Sequence, residues 1–379
     1  MPNRHIERPG FKQLDWEAAE FSLVKPDSFP TFYPNIVTSP RLVEEVRTIG
    51  GRHLVRAIGY GSSFNHRESH KSGRMDLMFV VDDALEFHQQ NIAGPYLQYG
   101  TTKNPNFHAF LNGFGLNYLP GEIELEDGPQ KIKAVVIGIQ DFVQHLNWGN
   151  DRGLITQDSF RYSYLNGRLQ KALLVTLWSS DDPVKQRQID LAINQNRIHN
   201  VSMTLALLPQ RFSPRQLLEL YTQLSYLADV RVEKSNKYLT ILNGSLAETE
   251  QMLYPIIGQF VQAGLLKQDG DNLVKMASLP QWRAWEWLAG AKAVHLATNY
   301  GKNWLTFGLL EGPEYCLDKI ARTVDASLAD NVPGLFASMS EQERLRLVKG
   351  VVLGVAAAAF IGGAVAIRRA KGNKSPSFI

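Results

Sequence analysis

The sequence predicts an α+β protein with two domains and a C-terminal membrane anchor. In residues 1–182, short apolar runs typical of strands alternate with helical segments. Residues 183–339 show mainly the 3.6-residue periodicity of helices. Residues 340–379 form a third segment, which combines a long uncharged run with basic flanks. A length of 379 residues is typical of a chain with two domains.

The individual elements follow from the hydrophobic pattern. After a proline-rich start, a helix is predicted at 40–50, and strands are predicted at 53–60, 75–81, 131–139 and 172–178. The segment after the second strand, DDALEFHQQNI, has a helical pattern. Further helices are predicted at 184–208, 214–227 and 246–263, and the tryptophan-rich residues 264–304 are also expected to be helical.

Composition and charge exclude several classes of protein. With 44% hydrophobic and 20% charged residues, the chain is neither disordered nor fibrous. The single cysteine, Cys316, excludes a disulfide framework. The N-terminus has no apolar core of signal-peptide length, and we expect no transit peptide there.

The positive net charge comes from the end of the chain. Residues 340–379 contain seven basic and two acidic residues and carry +5, whereas the preceding 339 residues contain 33 basic and 35 acidic residues and carry −2. A nucleic-acid-binding body would itself be basic. We therefore expect no nucleic-acid partner.

The tail predicts a membrane anchor. Residues 350–367 contain no charge, and as a helix they would extend about 27 Å, close to the thickness of a bilayer's hydrocarbon core. Basic residues within 344–371 would be attracted to anionic phospholipid headgroups. Small residues recur at every fourth position, which is typical of membrane helix pairs and suggests a homodimer: Gly350, Gly354, Ala358, Gly362 and Ala366. The alternative is a buried C-terminal helix of a soluble core.

One motif in the N-terminal domain indicates chemistry on a nucleotide. A strand that ends in Gly61-Ser62, followed by a polar loop and a strand that carries Asp76, is the arrangement of the nucleotidyltransferase fold. Glycine lets backbone N–H groups approach a triphosphate, and the serine hydroxyl adds a hydrogen bond. A carboxylate on the next strand can hold Mg²⁺, which bridges the phosphates. The motif usually has a second acid two residues later, which points to the same face of the strand. Here that residue is Met78, so the alternative is that Asp76 merely begins a strand.

Several segments also resemble one family, in the same order along the chain. YGSSF (60–64), MDLMFVVDDALEFHQQN (75–91), NGFGLNY (112–118), IKAVVIG (132–138), LNWG (146–149), NGRLQK (166–171) and the helical run at 205–232 resemble the mitochondrial-type phosphatidate cytidylyltransferases. The resemblance covers about residues 50–280. It implies a nucleotidyltransferase that converts CTP and phosphatidic acid, with Mg²⁺, into CDP-diacylglycerol and diphosphate in phospholipid biosynthesis.

The resemblance also implies roles for individual residues. Asp76 would be the catalytic metal ligand, and Ser62 would act with it, while Gly61, Ser62 and Ser63 would cradle the triphosphate. Lys133, Arg168 and Lys171 would bind nucleotide or phosphatidate phosphate, although a solvated lysine is as good an interpretation of Lys133.

Two further pairs have open interpretations. Asp229 and Arg231 would either form an internal ion pair or bind metal or phosphate. His88 and Asn91, three residues apart on a predicted helix, would either contact the nucleotide or have a capping or packing role.

Two alternative functions remain beside the cytidylyltransferase. The first is an enzyme of the same fold with another membrane acceptor, and the second is a non-catalytic membrane scaffold. Because no transit peptide is expected, the predicted location is the cytoplasmic face of a bacterial inner membrane, or the mitochondrial inner membrane in a eukaryote.

Overall fold

The computed structural model describes residues 24–34, 38–65, 74–100, 102–113, 117–146, 173–227 and 237–276. The chain divides into two compact units, Met1–Lys302 and Asn303–Ile379. All of the described residues belong to the first unit.

A five-stranded mixed sheet forms the centre of the N-terminal part. Its strands are β1 (Leu54–Tyr60), β2 (Met75–Val81), β3 (Asn117–Leu125), β4 (Gly128–Gly138) and β5 (Val175–Ser179), in the spatial order β3-β4-β2-β1-β5. Strands β2 and β4 are parallel, and the other neighbours are antiparallel. The mixed sheet and its helices confirm the α+β class.

Helices cover both faces of this sheet. They are α1 (Pro40–Gly50), the short α2 (Ser62–Asn65), α3 (Ala84–Asn91), α4 (Pro105–Gly113), α5 (Ile139–Leu146) and the 25-residue α6 (Pro183–Leu207). On one face, Val46 of α1 and Phe87 of α3 share a core with Phe79 of β2. On the other face, Phe142 of α5 and Ile189 of α6 share a core with Met78 of β2. Because side chains alternate along a strand, neighbouring residues of β2 belong to different cores.

Helix α6 also belongs to a second core, which it shares with the elements that follow it. These are β6 (Arg211–Phe212), α7 (Pro214–Leu227), α8 (Lys237–Gly244), α9 (Leu246–Gln262), β7 (Leu266–Asp269) and β8 (Asn272–Lys275). Val201 and Leu205 of α6 pack there with Leu217 and Phe260. The predicted domain boundary near residue 182 falls at Asp182, whose carboxylate caps the start of α6. The boundary itself stays a prediction.

The helical prediction for 264–304 is wrong where the structure describes this segment. Residues 266–275 form the hairpin of β7 and β8, with Asp269 paired to Asn272. The Gly270-Asp271 turn between them favours a hairpin, whereas local apolar residues such as Leu265 and Leu266 also fit a helix. The remainder of the segment lies outside the described residues.

An ion pair between a buried arginine and a partly exposed aspartate orients α6 on the sheet. Arg56 of β1 is 4% exposed, and its Nη1 lies 2.5 Å from Oδ1 of Asp190 on α6. The Nε of Arg56 donates to Oε1 of Gln186 at 2.7 Å, and the Nε2 of Gln186 donates to the carbonyl of Val55 at 3.0 Å. Tyr33 joins this cluster by donating to Asp190 at 2.6 Å. These contacts fasten both α6 and the segment at 24–34 to the start of β1.

No helix within the described ranges is both long enough and apolar enough to cross a membrane. The predicted anchor at 340–379 lies outside those ranges.

Candidate active site

The Gly-Ser turn and Asp76 lie together at one end of the sheet. Asp76 is the second residue of β2 and pairs with Tyr60, the last residue of β1. Gly61 follows Tyr60 directly and begins the turn into α2. The antiparallel pairing of β1 and β2 thus places the turn beside the carboxylate, as the motif predicts.

Gly61 is in close contact with the carboxylate of Asp76. A Cβ atom at this position would lie 2.8 Å from Oδ2 of Asp76, and the φ angle of Gly61 is 85°, in the left-handed region. Both facts favour glycine. The missing side chain therefore lets the carboxylate lie against the backbone of the turn.

Two further contacts hold the turn in place. The backbone N–H of Phe64 donates to the carbonyl of Gly61 at 3.1 Å, and the Phe64 ring lies where a side chain at Gly59 would be. The hydroxyl of Ser63 donates to the carbonyl of Arg74 at 3.1 Å. This bond joins the turn to Arg74, the residue before β2, and it engages the hydroxyl proton of Ser63. Ser62 is the first residue of α2.

Lys133 lies next to Asp76 on the neighbouring strand. Strands β2 and β4 are parallel, and their register pairs Asp76 with Lys133. Residues paired in this way point to the same face of a sheet. Both residues are partly exposed. The structure therefore brings together three of the predicted site residues, Gly61, Asp76 and Lys133, from three separate stretches of sequence.

No second carboxylate of β2 supports Asp76 on this face. Met78 is fully buried in the core below α5 and α6. Asp82 lies beyond the far end of the strand, where its carboxylate accepts from Lys185 at 2.8 Å. Among the residues that the structure describes, no group of three or more histidine, cysteine, aspartate or glutamate side chains could hold a metal ion.

His88 and Asn91 lie on the buried side of α3. Nδ1 of His88 lies 3.0 Å from the hydroxyl of Tyr99, and the His88 ring lies 5.5 Å from that of His108. The amide of Asn91 donates to the carbonyls of Ile49 and Phe87, both at 2.9 Å. His88 is fully buried and Asn91 is 4% exposed, and these contacts are those of packing residues.

Burial changes the acid–base behaviour of this histidine pair. Desolvation, with a smaller contribution from His108, lowers the pKa of His88 to about 3. Desolvation also lowers the pKa of His108, whose Nε2 lies 2.7 Å from the carbonyl of Thr102. Burial therefore favours the neutral form of both His88 and His108.

The other predicted site residues lie outside the described ranges: Arg168, Lys171, Asp229 and Arg231. Their roles stay predictions. The structure adds Tyr60, which the motif does not single out although it pairs with Asp76 and is 4% exposed. The sequence signals for Tyr60 are its place directly before Gly61 and its position at the start of the segment YGSSF.

A groove of about 670 Å³ opens at the opposite end of β1. Leu54 at the start of β1, Arg47 of α1, and Trp178 and Asp181 at the end of β5 line it. Because Asp76 pairs with Tyr60 at the other end of β1, this groove is separate from the candidate site.

The fold and the site therefore define an α+β protein with a mixed sheet, in which a glycine turn abuts a strand carboxylate. A family model described as "Phosphatidate cytidylyltransferase, mitochondrial" matches residues 51–283. The chain belongs to this family.

Curated proteins with that name are similar to the same part of the chain. The protein of Caenorhabditis briggsae is 27% identical over 236 residues, which cover 57% of this chain and 66% of the relative. The human protein is 25% identical over 228 residues, or 57% and 46% of the two chains. The Drosophila melanogaster protein is 27% identical over 194 residues, or 49% and 52%. The matched part of the chain thus spans about half to two thirds of the length of these relatives.

We expect Gly61→Ala to destabilise the fold more than Gly264→Ala. Gly264 also has a positive φ angle, 71°, but no atom lies within 4 Å of its Cβ position. Gly264→Ala should therefore cost only backbone strain, about 1–2 kcal/mol, whereas Gly61→Ala must also displace the Asp76 carboxylate. Urea unfolding of both variants measures the difference. Equal losses of unfolding free energy would contradict the close contact between Gly61 and Asp76.

We expect the free energy of unfolding to fall as the pH drops below about 6.5. The unfolded chain takes up a proton on His88 near its ordinary pKa of 6.5, whereas the folded chain does so only near 3. Between these values the unfolded state binds more protons, so stability decreases by up to about 1.4 kcal/mol per pH unit. Urea unfolding at pH 7.5 and 5.5 tests this. His88→Gln should reduce the difference, and an unchanged pH dependence in that variant would argue against this role of His88.

Proposed function

We propose that this protein is a Mg²⁺-dependent phosphatidate cytidylyltransferase, which converts CTP and phosphatidic acid into CDP-diacylglycerol and diphosphate. Membership of the family supports the reaction. The observation that carries the proposal for this chain is the contact between Gly61 and the carboxylate of Asp76. A turn with accessible backbone next to a strand carboxylate suits a nucleotide whose phosphates carry a metal ion.

We assign the N-terminal part to the nucleotidyltransferase fold on the same grounds. The Gly-Ser turn joins two adjacent antiparallel strands, and the acid lies near the start of the second one. The parallel strand β4 then places Lys133 beside the acid. This order of elements supports the fold that the motif predicts.

The residues at the site suit Mg²⁺. This ion prefers oxygen ligands, keeps several waters, and is commonly held by one or two carboxylates together with substrate phosphates. Asp76 provides one carboxylate, which is partly exposed. When bound, the ion would neutralise charge on the phosphates of CTP. Asp76 would hold it, and Gly61 would leave room for it beside the turn.

The remaining residues would position the substrates. Backbone N–H groups of the turn, with the hydroxyl of Ser62, would bind the triphosphate. The hydrogen bond from Ser63 to the carbonyl of Arg74 would hold the turn in place. Lys133 would offset negative charge next to Asp76. Arg168 and Lys171 would contact nucleotide or phosphatidate phosphate. The phosphate of phosphatidic acid would attack the α-phosphorus in line, and diphosphate would leave, so the protein's task is mainly positioning and electrostatic stabilisation.

The lipid substrate supports a membrane location. Phosphatidic acid resides in a bilayer, and the uncharged run at 350–367 with its basic flanks would anchor the protein to anionic phospholipid. The relatives are named as mitochondrial, which favours a mitochondrial membrane over a bacterial one. The small-residue stripe of the tail would allow two copies to pair.

A direct test measures diphosphate release by the purified full chain. The reaction contains Mg²⁺, phosphatidic acid in mixed micelles, and each of the four ribonucleoside triphosphates in turn. We expect release with CTP that requires both phosphatidic acid and Mg²⁺. Absence of release with every nucleotide, from folded protein, would favour a non-catalytic scaffold, and release without phosphatidic acid would indicate another acceptor.

The same assay tests Asp76. We expect Asp76→Asn to lower kcat/KM by at least about a hundredfold, since the amide is a poor metal ligand. Asp82→Asn is the control, because Asp82 lies just beyond the far end of β2, where its carboxylate pairs with Lys185. Loss of that partly exposed ion pair should have little effect on stability and leave turnover intact. Comparable turnover in both variants would refute the assignment of Asp76.

Deletion of residues 345–379 tests the anchor. We expect the truncated chain to lose its binding to vesicles that contain anionic phospholipid and to keep activity on detergent-dispersed phosphatidic acid. Sedimentation with vesicles measures binding, and vesicles of neutral phosphatidylcholine serve as the control for charge. A truncated chain that still sediments with the anionic vesicles would contradict the anchor.

A further inference from the structure

Helix α6 runs across the sheet toward the end that carries Asp76. Its first turn lies at the opposite end, where Lys185 contacts Asp82 beyond the end of β2. The next contacts, from Gln186 and Asp190, reach Val55 and Arg56 at the start of β1. Helix α6 and strand β1 therefore start at the same end of the sheet.

The spacing of the two elements predicts which part of α6 reaches Asp76. Tyr60, the partner of Asp76, follows Arg56 by four residues, or about 13 Å along a strand. A helix covers that distance in about nine residues. Because Arg56 contacts Gln186 and Asp190, residues at about 195–199 of α6 are expected to lie level with Tyr60 and Asp76.

One stripe of α6 faces the sheet along this path. Ile189, Ala192 and Ile193 share the core that contains Ile58 and Met78. Asn196 follows them at spacings of seven, four and three residues, and so continues the same stripe. It is 2% exposed. The stripe changes from apolar to polar at Asn196.

The sheet changes from apolar to polar at the same level. On β2, the residues of this face are Val80 and Met78 followed toward the end of the sheet by Asp76. On β4, they are Ile137 and Val135 followed by Lys133. Helix α6 packs over β1, and β1 pairs with β2. The buried amide of Asn196 is therefore expected at the end of the sheet where Asp76 lies.

We propose that Asn196 is a substrate-binding residue, whose side-chain amide donates a hydrogen bond to the CTP held at Asp76. This inference rests on the proposed function. The sheet would bind the metal and the triphosphate from one side, and α6 would bind the nucleotide from the other. An amide suits this position because it can donate to phosphate or ribose oxygens without adding a charge next to Asp76.

Isothermal titration of the full chain with Mg²⁺ and CTP tests the proposal. Asn196→Ala should weaken CTP binding about three- to tenfold, the usual effect of one neutral hydrogen bond. Asn196→Asp keeps the shape of the side chain but presents an anion to the triphosphate, so its dissociation constant should increase at least as much. The Asp variant also serves if the Ala variant fails to fold.

Asn194→Ala is the matched control on the same helix. The amide of Asn194 donates to the carbonyls of Pro26 and Phe29, on a different side of α6. This variant should lower the thermal unfolding midpoint and leave the CTP dissociation constant unchanged.

The outcomes separate this inference from the proposed function. If wild type binds CTP and both Asn196 variants bind it equally well, Asn196 has no role in binding and the inference is wrong. An equal loss of affinity in Asn194→Ala would also overturn it, because the effect would then come from the packing of the helix. If wild type itself neither binds CTP nor releases diphosphate, the proposed function is wrong and the inference falls with it.

Discussion

The ion pair between Arg56 and Asp190 is the interaction on which much of the described structure depends. Arg56 is almost fully buried, so its charge requires a partner, and the partly exposed carboxylate of Asp190 provides it. Its contacts fix the position of α6 on β1. Helix α6 takes part in both the sheet core and the core of α7 and α9. The ion pair therefore also helps to hold these two cores together. Tyr33 of the N-terminal segment completes the cluster.

Strand pairing brings the residues of the candidate site together. The antiparallel pair of β1 and β2 places Gly61 against Asp76, and the parallel pair of β2 and β4 places Lys133 beside it. The three residues lie where apolar side chains on this face of the sheet end. Charged groups can therefore remain partly exposed there, while Met78 and its neighbours hold the layers together. The same arrangement explains why a second acid at position 78 would be buried and unpaired.

Part of the site could be predicted from sequence because it is local. A glycine after a strand and an acid on the next strand are visible in the order of residues, and the structure brings Gly61 and Asp76 into contact. His88 and Asn91 show the opposite case. Their spacing places them on one side of a helix, but spacing does not distinguish the side that faces a ligand from the side that packs on Ile49 and Tyr99. Burial depends on neighbours that are distant in the chain.

The sequence by itself determined the elements whose pattern is strong and local, such as the helix Pro40–Gly50, the strand Met75–Val81 and the long helix Pro183–Leu207. It did not predict β3, since Pro120 and Gly121 within that strand resemble a loop, nor the hairpin of β7 and β8. Only the tertiary structure decided that Lys133 is the neighbour of Asp76 and that α6 starts at the same end of the sheet as β1. Those relations depend on strand order, register and helix direction, which arise from contacts between residues far apart in the chain.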